Sequence, residues 1–343
     1  MIYADSVDNK SPTGVAPVLQ VHPSRRCNLT CAHCYSSSGP GEREELHIEL
    51  LSHCLDDAVT LGYRQLAVSG GEPLLYGSLV PLLAKARSLG MVTTITTNGM
   101  LATHTRWKAL SSLIDVAAIS IDGKPEGHDA LRRCDGAFAS TVGNLKVIRA
   151  SGVAFGFIFT LTQYNVDSLE FVVRLAHEQG ARSVQVHPLT LNGRATTKLP
   201  DSRPDAIELV TALLEASRLG SELGVAVHVD ALTVAQLVEY HDHVVPRRPV
   251  KQLVDVAPVL VVQTDGRVVP LTHEVSHVLH LGSLRDACLS LLAHKWIDCG
   301  KGDKLVAACE RTWLDMTKDN PNTAVYWYDE VAARTRSGDQ HSG

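Results

Sequence analysis

The sequence predicts an α/β protein: a parallel sheet wound into an open or partly closed barrel, followed by a small α+β module. Three observations carry that expectation. Six β-rich runs alternate with helical stretches up to about residue 220, and successive β-then-α units build parallel sheets with right-handed crossovers. The helical stretches keep their apolar residues on one face and stop at glycines, which accept the left-handed conformation that helix ends favour. After about residue 230 the alternation stops.

The β-rich runs are 18–22 (VLQVH), 65–69 (QLAVS), 92–97 (VTTITT), 116–121 (VAAISI), 154–162 (AFGFIFTLT) and 183–187 (SVQVH). In 45–61, Leu51, Cys54, Leu55, Ala58 and Leu61 share a face and Gly62 follows; in 79–89, Leu79, Leu82, Leu83, Ala86 and Leu89 do the same before Gly90. The stretches 166–179 and 204–219 end at Gly180 and Gly220. Residues 1–17 read as an N-terminal extension and 18–230 as the barrel domain. Residues 231–335 form the module: a linker over 241–258, a hairpin over 258–271 turning at Asp265-Gly266, and helices over 283–294 and 323–334. The end, 336–343, reads as a disordered tail. Functional groups of such a sheet belong at the C-terminal ends of its strands.

Composition narrows the class. The chain has 343 residues, 45% hydrophobic and 20% charged, with a net charge of −5. That balance fits a globular protein and argues against a nucleic-acid or membrane-surface partner. The start, MIYADSVDNKSPTG, lacks the pattern of a signal peptide, and no run approaches the ~20 apolar residues of a membrane span. A cytoplasmic, reducing location is expected, where cysteines serve as metal ligands or reactive thiols rather than disulfides.

Three of the eight cysteines fall within CNLTCAHCYS, at Cys27, Cys31 and Cys34, directly after the first strand. A closed zinc site wants a fourth ligand, which would be His22, His33 or a distant residue. An iron–sulfur cluster also normally takes four thiolates. Three thiolates would leave one iron open to bind a substrate or cofactor, as an open zinc position does in hydrolytic enzymes.

A spacing of C-x3-C-x2-C after the first strand resembles the signature of the radical S-adenosylmethionine (radical SAM) enzymes, whose fold is a partial (βα)6 barrel. The resemblance implies one 4Fe-4S cluster held by Cys27, Cys31 and Cys34, with S-adenosylmethionine chelating the fourth iron. His33 stands where the family prefers an aromatic residue near the adenine. Ser69-Gly70-Gly71-Glu72-Pro73 follows the second run and matches the family's GGEP motif, which holds the methionyl amino group; glycines there let backbone approach a ligand. Thr97-Asn98-Gly99 follows the third run and Ser120-Ile121-Asp122-Gly123 the fourth. Both recur in the branch with molybdenum-cofactor and pyrroloquinoline-quinone biosynthesis enzymes and sulfatase maturases. Asn98, Ser120 and Asp122 are thus implied cofactor contacts, and Arg132 in HDALRR is either a partner of the methionyl carboxylate or a surface residue. The implied chemistry is reductive cleavage of S-adenosylmethionine to a 5′-deoxyadenosyl radical, which takes a hydrogen atom from the substrate. A flavodoxin- or ferredoxin-type reductant is required.

Polar pairs at period two, Gln20/His22, Thr160/Thr162 and Gln185/His187, suggest a barrel interior that holds a polar ligand, because strands buried on both faces are otherwise apolar. His187 and His22 are the favoured substrate contacts. The segment 259–286 resembles the SPASM or "twitch" extension of peptide-modifying members, but Leu271 stands where its cysteine is expected. Cys288, Cys299 and Cys309 lack a close pair, so no auxiliary cluster is expected; a residual cluster on Cys299 and Cys309 is the minority alternative. Epimerisation would need a hydrogen donor, often a thiol; Cys134, Cys288, Cys299 and Cys309 are candidates, and Cys54, on an apolar helix face, is not. His273, His277 and His280 are expected to line a polar surface or the mouth of the site. Two functions compete: a maturase of ribosomally made peptides, cross-linking or epimerising its substrate, with a separate chain able to supply leader recognition; or a small-molecule enzyme acting on a sugar, nucleoside or amino-acid derivative by decarboxylation, epimerisation or elimination. The first is favoured slightly. A non-catalytic or zinc-binding scaffold is the third reading.

Overall fold

The computed structural model describes residues 16–337; the expectations for most of the N-terminal extension and of the tail lie outside the described residues. The strands are β1 Val18–Val21, β2 Gln65–Val68, β3 Val92–Thr97, β4 Val116–Ser120, β5 Ala154–Leu161, β6 Ser183–Pro188, β7 Ala226–Val229, β8 Leu232–Thr233, β9 Val259–Val262, β10 Arg267–Pro270, β11 Gly282–Ser283 and β12 Ala324–Val325. Ten of them form one sheet in the order β11-β10-β9-β1-β2-β3-β4-β5-β6-β7, and β8 and β12 form a second, small one. The six expected strands are β1 to β6, all parallel to their neighbours. Val21 pairs with Val68, and Val68 with Ile95. That level register brings the loops after β1, β2 and β3 to one rim of the sheet.

Two strands extend this barrel beyond the sequence reading. β7 adds a further parallel strand beside β6. The Asp265-Gly266 hairpin forms as expected, and β9 then pairs in parallel with β1, Val18 against Val259. VLVV is buried at all four positions, as a strand covered on both faces should be. It covers the edge of β1 that would otherwise stand unpaired. The first part of the C-terminal module therefore continues the main sheet.

Helices occupy the expected stretches with shifted ends. Ile48–Thr60, Leu79–Ser88 and Leu169–Gln179 match three of them. The fourth runs over Ala206–Leu223, passes through Gly220 and ends at Gly224 with φ 66°. It begins at a capping box in which Asp205 accepts from the Ile207 and Glu208 amides while the Glu208 side chain accepts from the Asp205 amide; this satisfies donors that a helix start leaves open. A side chain at Gly220 would press on the Val225 carbonyl, 3.2 Å away, so this glycine serves packing against the turn into β7 rather than termination.

The C-terminal helices differ more. The helix expected over 283–294 is Leu289–Asp298, and that expected over 323–334 is Trp327–Ser337; Arg336 and Ser337 are thus helical rather than part of a tail. Lys301–Met316 is a further helix, burying Leu305, Val306, Cys309 and Thr312 on one face. The expected linker holds helical turns at His241–Val244 and Leu253–Val256, with Leu253 and Val256 in the core. The Ser290 amide donates to Asp57 Oδ2 at 2.9 Å, and Tyr63 Oη donates to the Ala257 carbonyl at 2.8 Å. Both bonds dock this region on the first βα unit. Among the described residues no helix is long and apolar enough to cross a membrane.

Candidate active site

The loop after β1 carries the three cysteines. The Cys27 amide donates to the Gly39 carbonyl, and the Gly39 amide to the Arg25 carbonyl, each at 3.1 Å. Leu29 is buried, and the Ala32 amide donates to the Leu131 carbonyl at 2.8 Å. All three cysteines line one cavity of about 500 Å³. Burial pushes the Cys27 thiol up to about 12, and nearby Glu72, Cys31 and Cys34 add to the rise. Burial raises Cys31 as well. Such thiols ionise when a metal takes the place of the proton. Among the described residues no three His, Cys, Asp or Glu side chains converge on a single-ion site. Three thiols on one wall suit a multi-iron cluster, in which each thiolate serves a different iron. His33 also lines the cavity, with Nδ1 buried and without a hydrogen-bond partner, an unmet polar atom of the kind a ligand satisfies. The residues present therefore fit a cluster with a polar cofactor beside it.

The GGEP loop is built into the floor of the cysteine loop. The Gly71 amide donates to the Ser24 carbonyl and the Glu72 amide to the Arg26 carbonyl, both at 2.9 Å. A Cβ on Gly71 would lie 2.2 Å from the Arg26 carbonyl oxygen. The missing side chain thus admits protein backbone as well as lining the cavity. Glu72 is buried, with Oε1 accepting from Thr97 Oγ1 at 2.7 Å and the Leu74 amide at 3.1 Å, and Oε2 from the Asn98 amide at 2.9 Å. Burial holds its proton above the usual carboxylate range despite those donors. Asn98 Nδ2 donates to Asn28 Oδ1 at 2.8 Å, joining the β3 loop to the cysteine loop. Glu72→Gln replaces one accepting oxygen with a donor facing a donor. It is expected to cost about 2–4 kcal/mol in denaturant unfolding.

Arg132 lies on the cavity wall and is held from behind. Its Nε and Nη2 both donate to Asp122 Oδ2 at 2.7 Å, while Asp122 Oδ1 accepts from the Thr160 amide at 3.1 Å. Against the penalty of burial, Arg132 and His33 hold the Asp122 carboxyl well below its ordinary range. Arg132 is 7% exposed, so the surface alternative fails. Asp122 does not line the cavity; it orients Arg132. Pro73 is likewise off the wall, at the first position of a short 3-10 turn. Ser120, Asn98, Gly70, Gly71 and Glu72 do line it.

Across the cavity, His187 and Thr160 line the wall as expected. His187 Nδ1 pairs with Asp230, at the end of β7, and Gln185 donates to the same carboxylate. Sequence reading missed Asp230 because β7 itself was not anticipated. His22 does not reach the cavity. It is buried behind Tyr35 and His273, with ring centroids 5.5 and 4.6 Å away, and its Nε2 lies 2.9 Å from Gln20 Nε2. His273 lines the cavity, with Glu274, Tyr326, Trp327 and Tyr328 also on its wall, whereas His277 and His280 do not line it. Burial and a hydrogen bond with Asp329 push the Glu274 carboxyl up to about 7.

The candidate thiols for hydrogen donation stand elsewhere. Cys134 lies on the loop after Arg133, and Cys299 ends the Leu289–Asp298 helix with its Sγ directed at the Trp296 carbonyl, 3.5 Å away. Cys309 is buried mid-helix, its thiol pushed up to about 12 by burial, and Cys288 is exposed. Among the described residues, the thiols on the cavity wall are Cys27, Cys31 and Cys34 alone.

Burial holds the pKa values of His128 and His273 down to about 4. Both bind fewer protons folded than unfolded between about pH 4 and 6.5, so their contribution to stability is present above 6.5 and is lost as pH falls to 4. Unfolding midpoints in urea are expected to drop steeply over that window, and His128→Gln to flatten the slope.

Residues 21–176 match the Radical SAM superfamily. Residues 21–176 are thus a radical SAM domain, the domain of a family of enzymes that use a 4Fe-4S cluster and S-adenosylmethionine. Among curated proteins it is 31% identical over 212 residues to the Fe-coproporphyrin III synthase of Methanosarcina barkeri, covering 61% of this chain and 53% of that one. It is 31% identical over 209 residues to the PqqA peptide cyclase of Ruegeria pomeroyi, covering 58% and 55%. The chain thus spans about half the length of these relatives. Among solved structures, anSMEcpe with bound AdoMet and the Cp18Cys peptide aligns over 93% of this chain and 95% of that one, with a TM-score of 0.66 and 16% identity. Streptococcus suis SuiB bound to S-adenosylmethionine aligns over 81% and 65%, with a TM-score of 0.63 and 16% identity. Both share the fold.

Proposed function

We propose that this protein cleaves S-adenosylmethionine reductively and uses the product to take a hydrogen atom from a peptide side chain, as a maturase of a ribosomally made precursor. The observation that carries the reading is the single cavity on which Cys27, Cys31 and Cys34 meet the GGEP loop, Asn98, Ser120 and Arg132. When bound, the cluster and S-adenosylmethionine supply one-electron cleavage of the sulfonium, with the electron from a flavodoxin- or ferredoxin-type donor. The protein's part is orientation and exclusion of water. Cys27, Cys31 and Cys34 would hold the cluster. Arg132, fixed by Asp122, offers a cation to the methionyl carboxylate, and His33 and Ser120 offer polar contacts to the nucleoside. His187, backed by Asp230, faces the substrate.

A volume of about 500 Å³ falls within the range for small-molecule sites. It admits one inserted peptide side chain or a small molecule. PqqA peptide cyclases and the sporulation killing factor maturation protein SkfB of Bacillus subtilis are among the relatives, which supports a peptide. Among the described residues no further cysteine lines the wall, which supports cross-linking over epimerisation through a thiol. A second reading, side-chain chemistry on a small molecule, is favoured by the Fe-coproporphyrin III synthase and pre-heme d1 synthase among the relatives. Anaerobic reconstitution with dithionite, S-adenosylmethionine and candidate substrates tests both. 5′-Deoxyadenosine formation supports the class, and a mass change in a short peptide rather than a small molecule supports the maturase. Absence of 5′-deoxyadenosine refutes the whole reading.

A further inference from the structure

The loop after β6 reaches the cysteine loop by an unexpected route. β1 and β6 are five strand spacings apart in the sheet order. Laid flat at about 4.8 Å per spacing they would stand about 24 Å apart. Yet the Arg194 amide donates to the Cys34 carbonyl at 2.9 Å, and its guanidinium Nη1 and Nη2 donate to the carbonyls of Cys31 and Ser38 at 2.7 and 2.5 Å. The curled sheet brings the two loops together across the barrel opening. Gly193 makes the approach possible: a Cβ there would lie 2.2 Å from the Tyr35 carbonyl oxygen, and its φ of 52° suits glycine.

We infer that Arg194 is a positioning residue that fastens the cysteine loop across the open side of the barrel and sets the electrostatic environment of the cluster. One side chain and its own amide hold three carbonyls from the eight residues Cys31 to Ser38, the stretch that contains two of the three thiols. A planar fork can satisfy two carbonyls at once, which a lysine ammonium on a flexible stem does poorly. Among the described residues the guanidinium makes no ion pair, so a positive charge stands at the Cys31 carbonyl. A positive charge there favours the reduced, more negative state of whatever the loop's thiolates bind. Fastening β6 to the cysteine loop also links the strand bearing His187 to the cluster loop.

The inference rests on the proposed cluster, so its test has one arm that does not need it. In the metal-free full chain, hydrogen exchange of the amides of residues 27–39 is expected to rise at least about tenfold in Arg194→Met, with the rest of the barrel unchanged. In the reconstituted protein, Arg194→Met is expected to lose at least half of the bound iron and to shift the midpoint potential to more negative values. Arg194→Lys is expected to keep the potential near that of the unaltered protein while showing raised exchange in the same loop. Unchanged exchange in both variants overturns the fastening role. An unchanged potential and electron paramagnetic resonance spectrum in reconstituted Arg194→Met overturns the electrostatic one. Should the methionine variant fail to fold, unchanged loop exchange in Arg194→Lys overturns the inference. Failure of the unaltered protein to take up iron and sulfide refutes the cluster reading instead, and leaves the exchange result to decide the fastening.

Discussion

Cys31→Ala is expected to abolish the brown iron–sulfur chromophore and to lower S-adenosylmethionine cleavage by at least about a thousandfold, or about 4 kcal/mol of barrier. Of the three thiols lining the cavity, Cys31 is the most buried, so water has the least room to substitute for it. Its loop is held by bonds that do not involve the thiol, through the Ala32 amide and the Arg194 guanidinium. The variant should therefore fold without the cluster, and circular dichroism of the metal-free chain checks that. Cys134→Ala and Cys299→Ala should keep the chromophore and the activity, because neither side chain lines the cavity. Loss of the chromophore in either control, or its retention in Cys31→Ala, contradicts the ligand assignment.

Gly71→Ala should be among the most damaging single-methyl changes at the rim. The new Cβ would meet the Arg26 carbonyl oxygen at 2.2 Å and its carbon at 2.8 Å. Both obstacles are backbone, so no side chain can rotate away. The Gly71 and Glu72 amides bond the same stretch of β1 loop, and pushing it aside breaks those bonds and moves the cysteines. A loss of about 3–5 kcal/mol in denaturant unfolding is expected, with cleavage activity lost even where the protein stays folded, since displacement by about 1 Å can cost about a hundredfold. Gly77→Ala is the matched control: nothing lies within 4 Å of the place its Cβ would take. It should change stability by less than about 1 kcal/mol.

The parts of the site that were legible in the sequence are those coded by short local spacing. The cysteine triplet, GGEP and Asn98 each follow a β-rich run, and Ser120 ends one. Level parallel register then brings any residue just past a strand end to the same rim. Asp122 shows the limit of this logic. Its position two residues after Ser120 implied a cofactor contact, but the choice between cavity and interior was made by Arg132, ten residues on, whose guanidinium claims the carboxylate. His22 failed in the same manner, covered by Tyr35 and by His273 from a distant segment.

By itself the sequence determined the α/β alternation, the strands β1 to β6, the loop that holds the three thiols and the family whose chemistry they imply. Periodicity and residue spacing report on neighbours along the chain, and those features are built from such neighbours. Only the tertiary structure decided that β9 would cover the edge of β1, that Asp230 would stand behind His187, that Cys309 would be buried away from the cavity, and that Arg194 would close the cysteine loop. Each of these depends on contacts between segments far apart in the chain. Such contacts are fixed by the curl of the sheet and the packing of its faces, which no local pattern records.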